Sequence, residues 1–533
     1  MSPTNNLGEE SISEEEYHKY IKEKLEDFAE KFVGNDFVKY NSEKIINDAV
    51  WGTHRFQNHE LSIISLPILQ RLRQIRQMGF VTYVYPSAIH TRFEHTLGTT
   101  ILASKLFDYV FSKQSGLLGK PADINNIRMA ALFHDIGHGM FSHTSEEIYG
   151  CMLNGLIRTE FPDGTVNPKP HEFLAYLLLR TSAFKKFFKW LSTAYEISID
   201  HEEISNYIVG KASNEAIRYK VSFVNGSFDA DKLDYIYRDS KFSGIPLLLD
   251  LDRLMHEISI SDFGDEYPDE TVKDLTIGLS GVSSLEQIVF NKMMLFATIY
   301  HHQKVKACDC MFKSFFEYVR KNKIEIVFGK DSNGNDRKLK FDNPVDFLWF
   351  TDIDFIAEGA RTSDTEIHRL IHNIVYRRPL KRALVISRKT IDVDSSDMNN
   401  FNMLLYTKHN KHDIELRLRE LAKKIWEDAG KPCSEHDVWV DLPNPPSFKE
   451  AAATHVRTDR TDVNKGLRKL EEFFPTNQWT DQYKAHKLKG HVFAPEEHLK
   501  AIADSAKKIF SSEYGINFKA EAFTFAKNSR ANN

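Results

Sequence analysis

Between residue 61 and about residue 320, apolar side chains return every three or four positions, interrupted only by short breaks. That periodicity turns one side of each segment towards a core and makes this stretch helical rather than sheet-forming. Helices are predicted over 67–78, 94–111, 124–134, 171–180, 201–209, 231–239 and 283–319. Another is predicted over 13–32, where Tyr17, Ile21, Leu25, Phe28 and Phe32 share a face. Residues 1–15 read as an acidic, solvated tail. No segment repeats at a fixed period, which excludes a solenoid. The texture changes after about residue 323. Two strand-like runs flank an Asn-Gly turn within 324–341, a hairpin signal, and 382–393 and 436–443 also read as strands. Helical patterns follow at 413–428 and 497–510. The expected fold class is mainly α: a helical core over 16–325 and a mixed α/β portion over 326–533 that regulates or assembles it.

Composition narrows the functional classes. Hydrophobic residues at 41% and aromatics at 12% of 533 residues supply a sizeable core and exclude a mainly disordered chain. Gly 25 and Pro 17 are too few for a collagen-like or low-complexity sequence. Four cysteines cannot build a disulfide frame and point to a reducing compartment. Lys+Arg 70 against Asp+Glu 75 leaves a net charge of −5, without global attraction to nucleic acid or anionic membrane. The first residues lack a basic segment followed by an apolar one, so no signal peptide is expected. The longest apolar stretches, such as 173–179, are far shorter than the ~18 residues of a membrane helix. The chain reads as soluble and cytoplasmic.

Chemistry concentrates in four short segments: HTRFEHTLG (90–98), ALFHDIGHGMFSH (131–143), PHEF (170–173) and DADKLDYIYRD (229–239). His134 and Asp135 are adjacent at the end of an apolar helical run, followed by Gly137 and Gly139, which are expected to let the backbone turn sharply beside a metal or phosphate. Imidazole with carboxylate is a mixed donor set suited to Zn, Fe or Mn, and differs from a soft thiolate site. One pair is too few ligands. His95 and Asp231, each on its own helical segment, would complete a site of two His and two Asp, with waters in the remaining positions.

In this order the four segments resemble the HD-domain metal-dependent phosphohydrolases, and more narrowly the deoxynucleoside triphosphate (dNTP) triphosphohydrolases, including dGTPase-like proteins. The likeness runs from about residue 47 to 309, with QRLRQIRQMG at 70–79 as a further motif, and more weakly through RRPLKRALV at 377–385. Too few residues precede position 40 for a sterile-alpha-motif domain, so the likeness is expected to be to the catalytic part alone. The resemblance implies a divalent metal (Fe, Mn, Zn, Mg or Co) held by His95, His134, Asp135 and Asp231. It implies Arg92, Lys232 and Lys292 on the triphosphate, Lys292 standing where Arg is commoner. His138, His143 and His171 line the α-phosphate site in this reading, with Glu146 and Glu172 as carboxylate partners. Gln77 and Asp239 would hold the sugar 3′-hydroxyl, and Tyr235 and Tyr300 would pack against the deoxyribose. Gln70 and Arg73 match an effector site, although Ser65 stands where nucleotide-activated relatives carry an acidic residue for guanine. The segment Asp48-Ala49-Val50-Trp51-Gly52 replaces the family's Asp-Pro-(Ile/Val)-His-Gly.

Physical chemistry agrees with these roles. A triphosphate carries about four negative charges, so an acidic chain needs local cations to admit it. A proton must also reach the leaving 5′-oxygen, and His titrates closest to neutral pH. The expected reaction is hydrolysis of a dNTP to deoxynucleoside and inorganic triphosphate, by a homo-oligomer (dimer, tetramer or hexamer). The alternatives are the same site acting on a nucleotide monophosphate, a cyclic nucleotide or single-stranded nucleic acid, or a non-catalytic nucleotide sensor. Nucleic acid is the less favoured partner, and no membrane partner is expected. Cys308 and Cys310 read as small buried side chains. The basic run at 377–382 reads equally as a phosphate contact or a solvated surface.

Overall fold

A computed structural model describes residues 13–114, 122–263, 271–330, 334–392, 411–442 and 454–523. The chain divides into two compact units. The first is drawn from Met1–Lys292, Glu325–Phe355 and Phe448–Thr476, and the second from Met293–Ile324, Ile356–Ser447 and Asn477–Asn533.

The first unit is a stack of helices, and its local rules are legible. Ser13 and Glu16 form a reciprocal capping box at the start of the helix Glu14–Val33, which buries Ile21, Leu25 and Phe28 and stops at Gly34 with φ 72°. The helix Arg92–Gln114 opens with Thr91, whose backbone N–H donates to Glu94 Oε2 at 2.7 Å. It is buried almost continuously from Arg92 to Ala103, because it packs against both Ala122–Phe133 and Ala230–Ser243. The helix at 122–133 stops one residue short of His134, so His134 and Asp135 lie in the turn that follows. Asp229 caps the helix Ala230–Ser243 by accepting from the Lys232 N–H. Pro at the first position starts the helix Pro170–Leu179.

Three sequence expectations give way to tertiary structure. The segment 67–78 is not one helix: Pro67–Arg71 is followed by a 3₁₀ turn at Leu72–Gln74, and Ile75 is extended. There the chain pairs instead with 90–92, where Arg92 N–H donates to Ile75 O at 2.9 Å and Gln77 N–H to His90 O at 3.0 Å. The helix expected over 283–319 is broken into Val282–Leu295, a π-turn Phe296–Tyr300 and Gln303–Lys321, with His302 extended between them. The stretch expected to be helical also contains strands Ile258–Asp262 and Lys273–Gly278. They pair antiparallel, and the second continues in parallel to His455–Arg457 and then Leu467–Lys469. A hairpin Lys44–Asp48/Gly52–Phe56 was not foreseen either.

In the second unit the antiparallel strands Lys381–Ile386, Gly490–Ala494 and Trp439–Asp441 form a sheet with the 490–494 strand in the centre. The helices Lys411–Asp428 and Leu499–Tyr514 cover it through Leu421, Ile425, Ile502 and Phe510. Cys308 and Cys310 are buried on the helix Gln303–Lys321. Among the described residues no helix is long and apolar enough to cross a membrane. The molecule is mainly α, as its periodicity predicts.

Candidate metal centre and active site

Three helical segments bring His95, His134, Asp135 and Asp231 together. His95 Nε2 lies 3.0 Å from Asp231 Oδ1 and 3.7 Å from Asp135 Oδ2. His134 Nε2 lies 3.3 Å from His95 Nε2, 3.3 Å from Asp135 Oδ1 and 3.9 Å from Asp231 Oδ1. Donors bound at about 2.0–2.2 Å to one ion sit roughly 3.0–4.2 Å apart around it, so His95, His134 and Asp135 are spaced to share a cation, with Asp231 beside the two histidines. The electrostatics suit one. Burial opposes charge on His95, yet hydrogen bonds to Asp231 and Asp234 and the nearby Asp135 carry its pKa up to about 10. Without an ion, a proton takes the cationic place among the carboxylates.

Both histidines are oriented from behind. His95 Nδ1 meets Asp234 Oδ2 at 2.7 Å and His134 Nδ1 meets Ala131 O at 2.7 Å, which assigns the N–H to Nδ1 and leaves each Nε2 lone pair for the metal. Asp234 is itself clamped: Arg238 donates through Nε at 2.8 Å and Nη2 at 2.9 Å, and the Trp51 indole donates to its other side. Burial works against the Asp234 charge, but Arg238 wins and holds its pKa near 2. Arg238 also pairs with Asp48 at 3.0 Å, and Asp48 accepts from the Val50 and Trp51 N–H groups. The divergent 48–52 segment therefore buttresses the centre with a tryptophan. Gly98 makes room for this: a Cβ there would lie 2.0 Å from Asp234 Oδ1 and 2.2 Å from Arg238 Nη2.

A second cluster adjoins the first through Asp135. His138, His143, Glu146 and His171 converge, with His138 Nε2 3.3 Å from Asp135 Oδ1. Glu146 accepts from His143 Nδ1 at 2.8 Å and also bonds His171 Nδ1, while the His138 and His171 rings stack at 3.9 Å. Burial resists the Glu146 charge, yet His171, His143 and His138 hold its pKa well below the usual range. Burial likewise lowers His171, but Glu146 outweighs it and the net direction is upward. His143 is the exposed member, at 62%. Glu172 is held by Lys169 at 2.8 Å.

Arg92 reaches both clusters. Nη1 donates to Asp135 Oδ2 and Nε to Ser142 Oγ, each at 3.0 Å. Its Nη2 and both His138 ring nitrogens are buried without a hydrogen-bond partner among the described residues. Arg92 Nη2 is a donor suited to an anion, whereas burial and the nearby Arg92 push the His138 pKa well below the usual range, so its ring offers a single N–H. Lys232 differs, because its ammonium is occupied by Asp229 and by the Gly226 carbonyl at 2.8 Å.

The turn between the two clusters is not made by its glycines. Gly137 and Gly139 have ordinary φ values, and the positive φ angles fall on Phe141 (51°) and Ser142 (55°). Such non-glycine conformations cost about 1–3 kcal/mol each and persist only where surroundings impose them. Gly137 serves close packing instead, since a Cβ there would lie 2.1 Å from the His171 carbonyl oxygen.

Gln77 and Asp239 are linked through a residue the sequence reading left unassigned. Gln77 N–H donates to His90 O at 3.0 Å, and His90 Nε2 contacts Asp239 Oδ1 at 2.7 Å. Tyr235 lies on the same helix as Asp231 and Asp239. Gln70 donates to Ile64 O and accepts from Arg73, whose guanidinium covers the Phe93 ring at 3.6 Å. Lys292 is the last residue of the first unit's opening segment, and Tyr300 belongs to the second unit. The missed residues Asp48, Trp51, His90, Asp234 and Arg238 had one sequence signal: Asp231, Asp234 and Arg238 stand three and four apart, on one helical face.

The HD-domain model matches residues 92–234, from Arg92 to Asp234, and the model described as HD associated region matches 249–515, half of the chain. The chain belongs to the HD-domain family. Its HD match thus begins at Arg92 and ends at Asp234, enclosing His95, His134, Asp135 and Asp231. Among relatives, an uncharacterised protein of Methanocaldococcus jannaschii is 25% identical over 470 residues, 87% of this chain and 82% of that one. The deoxynucleoside triphosphate triphosphohydrolase SAMHD1 homolog of Dictyostelium discoideum is 29% identical over 289 residues, 53% of this chain and 50% of its own length. The human deoxynucleoside triphosphate triphosphohydrolase SAMHD1 is 28% identical over 275 residues, 49% of this chain. The matched stretch spans half of the Dictyostelium protein and 41% of the human one. The HD-family membership carries phosphohydrolase chemistry, and the His and Asp donors suit the divalent ion such chemistry uses.

Proposed function

We propose that this HD-domain protein hydrolyses dNTPs to deoxynucleoside and inorganic triphosphate. The observation that carries the reading is the sharing of Asp135 between a metal-type donor set and an array of histidines with Arg92. His95, His134, Asp135 and Asp231 would hold the divalent ion, which would supply Lewis-acid polarisation of a phosphoryl oxygen and a lowered pKa of bound water. Arg92 receives the α-phosphate through its unpartnered Nη2, with His138 beside it. Glu146 keeps His171 protonated, and His171 delivers that proton to the leaving 5′-oxygen. Exposed His143, held by the same carboxylate, stands where substrate arrives. Gln77 and Asp239, joined by His90, bind the 3′-hydroxyl, with Tyr235 against the deoxyribose. Lys232 and Lys292 assist the triphosphate, Lys232 after exchanging Asp229 for phosphate. Relatives named as dNTP triphosphohydrolases support the substrate class. We further propose homo-oligomeric assembly, a nucleotide effector at Gln70 and Arg73, and a regulatory or assembly role for the chain after residue 325.

The test is chromatography after incubating the protein with each dNTP and NTP, singly and mixed, with Mg, Mn or Co. Deoxynucleoside plus intact triphosphate, lost in His134→Ala and Asp135→Ala, is the expected result. Release of single phosphates, or turnover only of cyclic or polymeric substrates, would replace the dNTP reading with another phosphoester. A purified protein free of Fe, Mn and Zn that binds nucleotides without turnover would make it a sensor.

A further inference from the structure

The loop 139–142 joins the metal-binding turn to His143, and it is held in its left-handed conformation from outside the HD domain. Asp352 lies within the HD associated region and is the first residue of the helix Asp352–Arg361. The helix cap falls to its neighbours: Thr351 and Asp354 bond each other reciprocally, at 2.6 Å between Thr351 Oγ1 and Asp354 Oδ2. The Asp352 carboxylate is thereby left to point elsewhere. Its Oδ1 accepts from Phe141 N–H at 2.7 Å and its Oδ2 from Arg76 N–H at 3.0 Å. Ser142, beside Phe141, donates to the Arg76 carbonyl and accepts from Arg92 Nε. Arg71 donates to the His138 carbonyl at 2.8 Å, which anchors the other end of the loop. The Phe141 ring is stacked on Phe80 at 4.2 Å and meets the edge of Phe355 at 5.5 Å.

One buried carboxylate thus bridges two backbone segments, one from the 70–79 motif and one from the active-site loop, each a residue away from or directly bonded to a side chain that touches Arg92. We propose that Asp352 is a positioning residue that fixes the Phe141–Ser142 turn, and through Ser142 the aim of Arg92 and His143. A carboxylate is needed here because both groups it meets are N–H donors. An amide of the same size offers one acceptor and opposes the second N–H with donors of its own. Asp352 contacts none of the proposed metal ligands directly and reaches Asp135 only through Ser142 and Arg92, so metal content and loop geometry are read out separately. The inference rests on the phosphohydrolase reading for its kinetic consequence but not for its structural one.

The experiment compares wild type with Asp352→Asn and Asp352→Glu. Metal content is measured by elemental analysis, amide hydrogen exchange by mass spectrometry, and kcat and KM on whichever phosphoester wild type turns over. In Asp352→Asn, exchange is expected to accelerate at least tenfold at Phe141 and Arg76, with other peptides unchanged and metal retained. The expected kinetic change is a kcat loss of about tenfold or more, because Arg92 and His143 are misaimed at the transition state, with Asp352→Glu recovering part of it. Unchanged exchange and kcat in a folded Asp352→Asn would overturn the proposal. So would protection lost across the whole first unit together with the metal, which marks a merely structural residue. If Asp352→Asn does not fold, fast exchange of Phe141 in wild type overturns the proposal and slow exchange supports it. If wild type turns over no phosphoester, the hydrolase reading fails while the exchange data still judge Asp352.

Discussion

A histidine offers a metal one nitrogen, and the hydrogen bond at the other decides which one. Asp234 makes that decision for His95, and Arg238 and Trp51 fix Asp234. Asp234→Asn is therefore expected to weaken metal binding about 10–100-fold while leaving all four ligands in place, measurable by competition with a chelator. Arg238→Met strands the buried carboxylates of Asp234 and Asp48 and is expected to cost roughly 3–5 kcal/mol of stability by urea unfolding. At His171 the folded pKa is raised, with Glu146 outweighing burial. Its contribution to stability is complete below the unfolded value of about 6.5 and is lost as pH rises through the higher folded value. In its proposed role as proton donor it imposes the same direction on turnover: kcat falls as pH rises through that higher folded value. His171→Gln should remove that limb from the pH–rate profile. An unchanged limb would transfer the acid role to another group.

Helix signals proved reliable where a single chain segment decides the outcome. Ser13 with Glu16, Asp229, and Pro170 each start a helix close to where the sequence places it. They failed where a partner competes for the backbone. Residues 75–77 have a helical pattern but bond to 90–92, and that pairing sets Gln77 beside His90. Strands 258–262 and 273–278 were hidden inside a helical stretch, and the first of their further partners lies at 455–457. The contact between the helices Arg92–Gln114 and Ala230–Ser243 permits no side chain at position 98. Gly98→Ala should displace Asp234 and Arg238, costing about 1–3 kcal/mol by overpacking. Thermal unfolding and metal content should fall together. A stable variant with full metal occupancy would show that the two helices can move apart.

At the scale of the whole molecule, the chain is interleaved: the first unit takes back 325–355 and 448–476 after the chain has entered the second. Residues outside the HD match therefore complete the unit that contains His95, His134, Asp135 and Asp231, and Asp352 is one of them. An isolated 92–234 fragment is expected to be insoluble or to bind metal poorly compared with the full chain, a comparison that elemental analysis makes directly. Multi-angle light scattering of the full chain should give a multiple of the protomer mass. A monomer with and without nucleotides would remove the oligomer proposal.

The helical class, the antiparallel pairing of Ile326–Lys330 with Asp336–Leu339, and the adjacent donors His134 and Asp135 were legible in the sequence. Each rests on spacing along a short stretch: a period of 3.6, an Asn-Gly turn, or donor residues clustered within a few positions. Tertiary structure alone decided what supports them. Asp234 reaches Trp51 across 183 residues, Phe141 reaches Asp352 across 211, and Arg76 reaches Asp352 across 276. No local pattern encodes such pairings. A buried carboxylate takes the donors that packing brings within 3 Å, and packing is settled by the whole chain at once.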